Sequence, residues 1–241
     1  MMKHRFFSSY AIRFILAFII AFAIIHPLWY QAEYHLQSFY CSGNLTQINQ
    51  GIMLYSQDYD GRLPPAILPG KTVGWAMALQ PYMTSYPAFQ CPGEKWKDDH
   101  SSSVVKAMRS FTQAKGISSQ ETFQPDQPGF TDYWLNGNLA GVKDKDWGPF
   151  LTNDNKKVSN PEQVIILGDG DGDGKSPQST ASYSLNQLPS IWRASSDSPV
   201  KRHMGGANYA FLDGHVKWLK PEQVSQLPTS KKRPVYTFST K

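Results

Sequence analysis

From Phe14 to Tyr30 the chain reads FILAFIIAFAIIHPLWY, seventeen residues without a formal charge. As a helix this run rises about 26 Å, close to the roughly 30 Å hydrocarbon core of a bilayer. It predicts a transmembrane anchor, with a cleaved signal peptide as the alternative. His26-Pro27-Leu28-Trp29 stands where a signal-peptide cleavage site needs small residues. Lys3, Arg5 and Arg13 on its N-terminal side place that end in the cytoplasm and everything after Tyr30 on the other side. Beyond the anchor the pattern changes. Leu45, Ile48, Ile52, Tyr55 and Tyr59 recur at spacings of three and four, one face of an amphipathic helix. Pro27 is able to kink this long rod, Gly61 suits a left-handed cap at its end, and Pro64-Pro65 forbids resumption.

After the rod the pattern breaks into short pieces rich in glycine, proline and aromatics, as short strands with long connections require. Val164 to Leu167 is a continuous apolar run, hence a buried strand. Asn136-Gly137 after Tyr133-Trp134-Leu135 predicts a two-residue hairpin. Residues 101–114, with Val104, Val105, Met108 and Phe111 on one side, predict one extra helix. A second hairpin is expected at Asp213-Gly214. With a two-residue turn there, Ala210 pairs with Lys217 and Tyr209 with Trp218, and Tyr209, Phe211, Val216 and Trp218 share the face that packs on the helix. The opposite face is mixed and suited to solvent.

The chain has 241 residues, enough for one core plus an appendage. The net charge of +5 is distributed as +2 over residues 1–40, −3 over 41–200 and +6 over 201–241. Lys231-Lys232-Arg233 has no interleaved aromatic pattern, so a solvated basic tail is expected and nucleic acid is not an expected partner. The expected divisions are 1–30 for the cytoplasmic tip and anchor, 31–62 for the extracytoplasmic continuation of the helix, 63–226 for an α+β head and 227–241 for the tail.

Two separated runs, CSGNLTQI from Cys41 and YSQDYDGRLP from Tyr55, together with FQCPGE from Phe89 and YWLNGNLAG from Tyr133, resemble bacterial prepilin-type, pseudopilin-like proteins. That family often ends in a His, nine residues, then Asp-Gly, and here His203 precedes Asp213-Gly214 at that interval. The resemblance covers most of the chain except about Lys97 to Gly129. It implies a pilin-like α+β fold, in which the long helix packs on a small antiparallel sheet. It also implies a non-enzymatic component of a type II secretion or type IV pilus-like system in the inner membrane, with other pilin-like subunits or secretion proteins as partners and lipid around residues 14–30. One departure is plain. Arg5 and Tyr10 stand where the family carries the Gly before its cleavage point and the Glu beyond it, so removal of residues 1–5 by a prepilin peptidase is not expected.

Three sets of residues carry candidate chemistry. Asp169, Asp171 and Asp173 alternate with glycines as the first half of a calcium loop, but Thr180 occupies the place of the bidentate Glu. Calcium is the cofactor such a loop would take; a solvated acidic turn is the alternative. Cys41 and Cys91 are an even pair on the oxidising side of a membrane, so a bridge is expected, closing a loop of about fifty residues and contributing roughly 4 kcal/mol. Free buried thiols are the alternative. His203, Asp213 and His215 would need a fold-back to converge, so His203, Asp213 and Gly214 are read as a structural motif rather than a catalytic set. No nucleophile and base pairing stands elsewhere. A hydrolase, or a protein binding glycan or peptide through Trp and Tyr near 130–150, on the same frame is the second functional class.

Overall fold

A computed structural model describes residues 3–66, 74–93, 131–139, 158, 160–170, 184–185, 187–225 and 236–238. The expected helix at 101–114 lies outside them. The chain divides into two compact units, Met1–Leu36 and Gln37–Lys241. The first is helical throughout its described length. Helix α1, Lys3–Asp58, runs through Pro27 and supplies a helix long and apolar enough to cross a membrane, the length and composition of a membrane anchor or a signal sequence. From Tyr10 to Tyr30 every side chain is exposed.

In the second unit the same helix is built differently. Cys41, Leu45, Ile48, Ile52 and Tyr55 are buried at helical spacing, the expected face with Cys41 added one turn earlier. Tyr59 falls just outside it, 40% exposed and stacked on Tyr55 at 4.1 Å. The helix stops as the sequence predicts: Asp60 and Gly61 both take left-handed backbone, φ 54° and 80°. Gly61 N–H returns to the Ser56 carbonyl at 2.7 Å.

That buried face lies on a five-stranded sheet. Its strands are β1 (Tyr133–Asn136), β2 (Ile165–Asp169), β3 (Ser184–Leu185), β4 (Ala207–Phe211) and β5 (Val216–Leu219), in the order β3-β1-β2-β4-β5. The fold is α+β, a helix on a sheet head. The sheet is mixed rather than purely antiparallel, because β1 and β3 run parallel. After β1 the Asn136-Gly137 turn forms, and the residues that follow Leu139 lie outside the described ones. Gly137 N–H donates to the Leu185 carbonyl, and the neighbours of β1 are β2 and β3. The apolar run ending at Leu167 is the central strand, as expected of a continuous buried run.

Strand alternation sorts side chains to two cores. Tyr133, Leu135, Leu167, Ala210 and Leu212 pack with the helix residues, whereas Trp134, Ile165, Ala207, Tyr209 and Phe211 pack on the other face with Trp192, Val200, Leu219 and Phe238. Two amide side chains fasten β4 to the helix. Asn49 Nδ2 donates to the Phe211 carbonyl at 2.8 Å, and Asn208 Nδ2 donates to the Ser38 carbonyl at 3.1 Å.

The expected hairpin register is off by one. Ala210 pairs with Val216 and Tyr209 with Lys217, because the loop has three residues. Gly214, at φ 100°, supplies a left-handed bulge, and Phe211 N–H bonds to the His215 carbonyl. Tyr209 and Phe211 face away from the helix, and Trp218 is 38% exposed. The second face, expected to be solvated, is a core. The basic tail also differs from expectation: Tyr236–Thr237 form β7, parallel to β6 (Val224–Ser225), and Phe238 is buried, while 231–233 lie outside the described residues.

Two glycines test this packing. A Cβ on Gly168 would sit 2.4 Å from Trp134 Cζ2 and 2.8 Å from Tyr209 Cδ1, whereas one on Gly43, in α1, meets nothing within 4 Å. Gly168→Ala should cost about 1–3 kcal/mol through overpacking, and Gly43→Ala should stabilise by about 0.5–1 kcal/mol through helix propensity. Thermal unfolding of the detergent-solubilised full chain measures both.

Candidate functional site: a buried Cys-Cys-Asp-His cluster

Four segments meet at one end of the sheet. Cys41 arrives on the buried face of α1, one helical turn before Leu45. Cys91 follows the 3-10 turn Tyr86–Phe89, and its backbone N–H donates to Asp132 Oδ2 at 2.7 Å. Asp169 ends β2, opposite Tyr133. His203 sits in a tight loop where Met204 and Gly205 take left-handed backbone, φ 56° and 80°, and its N–H and carbonyl both bond to Gly206. The Trp218 indole donates to the His203 carbonyl at 2.7 Å, which holds the loop against β5. Gly93 leaves room for the imidazole: a Cβ there would lie 2.8 Å from His203 Cε1.

The four side chains are all buried, and their ligand-type atoms lie within 4.8 Å of one another. Cys41 Sγ donates to Asp169 Oδ1 at 2.9 Å. Asp169 Oδ2 accepts the Asn208 N–H at 2.9 Å and stands 3.3 Å from His203 Nε2. That same nitrogen is 3.3 Å from Cys91 Sγ. The Tyr133 hydroxyl reaches Cys41 Sγ at 3.5 Å. Both cysteines are free thiols.

Burial is the largest influence on Cys41, Cys91 and His203 and disfavours charge. It drives the Cys41 thiol well above its ordinary value, with Cys91 and Asp169 adding to the effect. For Cys91, hydrogen bonding from Cys41, the Arg202 charge and the His203 contact outweigh burial and bring the thiol down to about 6. For His203, burial is outweighed by the Asp169 carboxylate, which holds the imidazole up to about 10. At neutral pH the cluster therefore holds the Cys91 thiolate, the His203 imidazolium and the Cys41 thiol beside Asp169.

A Cys-His-Asp set invites comparison with a nucleophilic triad, and the geometry argues against it. A relay uses one imidazole nitrogen for the nucleophile and the other for the carboxylate. Here Nε2 faces both, and Nδ1 has no hydrogen-bond partner among the described residues. The reacting sulfur would also have to work from a site only 3% exposed. A cleft of about 470 Å³ lies beside Cys91, its lining including Tyr40, Asn44, Gln47 and Gln90.

The expected site residues are thus regrouped. His203 is joined to Asp169 and the two cysteines rather than to Asp213. Asp213 Oδ1 bonds His215 Nδ1 at 2.6 Å at the exposed hairpin tip, and the His215 ring stacks on Phe211 at 4.3 Å. Gly214 makes the turn. Cys41 and Cys91 are adjacent, as a bridge would need, but as thiols. Asp169, the first carboxylate of the expected calcium loop, has both oxygens engaged inward; Asp171 and Asp173 lie outside the described residues. Sequence reasoning missed the cluster as a unit. Its available signals were Cys41 falling on the apolar helix face and Asp169 directly following the buried strand.

The protonation pattern fixes a pH profile. His203 is raised from 6.5 to about 10, so its contribution to stability is complete below 6.5 and is lost as pH rises through 10. Cys91 is lowered from 9.0 to about 6, so its contribution is complete above 9.0 and is lost as pH falls through 6. Between 6.5 and 9.0 the two slopes cancel. Above 9.0 the fold retains protons on Cys41 and His203 that the unfolded chain sheds, and stability should fall by about 1.4 kcal/mol per pH unit for each proton retained. Thermal midpoints of the reduced full chain in detergent should drop above pH 9, and Cys41→Ser should lessen that drop.

No protein-family model, curated protein or solved structure matches the chain.

Proposed function

We propose that the chain is a membrane-anchored, pseudopilin-like structural or assembly component of a type II secretion or type IV pilus-like system. In this reading it crosses the bacterial cytoplasmic membrane once, with its N-terminus in the cytoplasm and its head outside. The observation that carries the reading is the change in character along α1. Phe14, Phe18, Phe22, Ile25 and Trp29 are 60–75% exposed on the apolar segment, whereas Cys41, Leu45, Ile48, Ile52 and Tyr55 are buried against the sheet. A helix apolar all round needs an apolar surrounding, which lipid and neighbouring helices of like subunits both supply.

The sequence motifs support the same reading, since the His203 to Asp213-Gly214 interval and the Cys41 and Tyr55 runs accompany that architecture in the family they resemble. His203 is spent on buried contacts, which weakens the alternative of a hydrolytic cleft. With Arg5 and Tyr10 in place of the processing residues, the protein acts with its N-terminus intact, as an anchored subunit or initiator rather than a processed filament repeat.

A photo-reactive residue replacing Phe22, in the full chain expressed in its own bacterium, tests this. Adducts to a second copy or to another single-pass pilin-like protein are expected, with the head digested by protease added outside the cytoplasmic membrane. Adducts to lipid alone, or a head protected from that protease, would contradict the proposal.

A further inference from the structure

We propose that Cys41, Cys91, Asp169 and His203 form a four-ligand site for a zinc-class divalent cation. The donors are two sulfurs, one imidazole nitrogen and one carboxylate oxygen, a set suited to a tetrahedral borderline-soft ion rather than to calcium or magnesium. They come from four separate segments, and α1 is one of them. With metal bonds of 2.0–2.3 Å, ligand atoms around a tetrahedral zinc lie roughly 3.3–3.8 Å apart. Here all four fall within 4.8 Å, and the contacts at 2.9 and 3.3 Å open to that spacing by shifts of a few tenths of an ångström.

Three further observations favour the ion. First, His203 Nε2 points at Cys91 Sγ and Asp169 Oδ2 together, each at 3.3 Å. A single N–H can serve both only as a long, shared hydrogen bond, whereas a lone pair can be directed at a cation between them. Second, three of the four ligands are braced by groups outside the set. Asn208 N–H holds Asp169 Oδ2, the Tyr133 hydroxyl holds Cys41 Sγ, and Asp132 fixes the Cys91 backbone. Third, the cleft beside Cys91 gives an entry path.

A Cys41–Cys91 bridge is the competing state of the same atoms. It would use two of the four groups and remove the S–H that Asp169 Oδ1 accepts, a loss for an enclosed carboxylate. A cation uses all four. The ligating forms are two thiolates, a carboxylate and a neutral imidazole, so the ion enters as protons leave, with no change of oxidation state. Its consequence is structural: it ties α1 to the turn at Cys91, to β2 and to the His203 loop.

The test uses the full chain in detergent, reduced, stripped with a chelator and titrated with cobalt(II), then zinc. One equivalent of cobalt should give a sulfur-to-metal charge-transfer band and tetrahedral d–d bands, both removed by zinc, with zinc raising the melting temperature. Cys91→Ser and His203→Gln should lose the tetrahedral spectrum. Tyr133→Phe, which spares every ligand, should weaken affinity about 10- to 100-fold. Asp213→Asn, at the hairpin tip, should change nothing. A wild-type protein that shows no sulfur-to-cobalt band while both thiols label as free overturns the proposal. So does protein isolated from its own membrane without reductant that carries the Cys41–Cys91 bridge and no metal, whatever it binds after reduction.

Discussion

A carboxylate enclosed completely by protein must be satisfied by protein, and Asp169 is such a carboxylate. Its two oxygens take the Cys41 thiol from α1 and the Asn208 amide from β4, and its Oδ2 faces His203. Its own carbonyl accepts the Trp134 indole at 2.8 Å, from β1. One residue therefore reports on the register of three strands, the rotation of the helix and the placement of the loop before β4. Moving any of these leaves a buried charge without a partner, a fault of several kcal/mol in a fold whose total stability is only about 5–15 kcal/mol.

The sheet is the second constraint. Because both faces are buried, its strands obey period two in each direction, and a slip of one residue would exchange the two cores. The three-residue Leu212-Asp213-Gly214 loop sets the register of β5 against β4. Small and polar residues, Ala210 and Asn208, go toward α1, where the helix approaches closely. The bulky Tyr209 and Phe211 go to the far core with Trp134 and Trp192. The Asp-Gly pair and the His before it are thus linked through one hairpin, the Gly fixing its register and the His closing the cluster at its other end.

Local signals in the sequence reached some of this and not the rest. The face at Leu45, Ile48, Ile52 and Tyr55, the left-handed stop at Gly61 and the apolar strand ending at Leu167 are all consequences of periodicity or of a backbone angle, which neighbouring residues encode. The hairpin was legible as a turn but not in register, since Asp-Gly serves a two-residue loop and a glycine-bulged loop equally well. The far core was hidden because Leu188, Trp192 and Phe238 come from short, irregular pieces without a period. The cluster was hidden more deeply. Cys41 and Asp169 are 128 residues apart, and Cys91 and His203 are 112 apart. Only the strand order brings them together, while the visible spacing linked His203 to Asp213 and Asp169 to Asp171.

The dependence of helix, strands and loop on Asp169 is measured most directly by a double-mutant cycle. Asp169→Asn, Cys41→Ala and the pair together, in reduced, metal-free full chain, should give a coupling energy of about 1–3 kcal/mol, because each single change strands the partner of the other. Additive losses, with no coupling beyond about 0.5 kcal/mol, would show that Asp169 is not what holds the helix to the sheet.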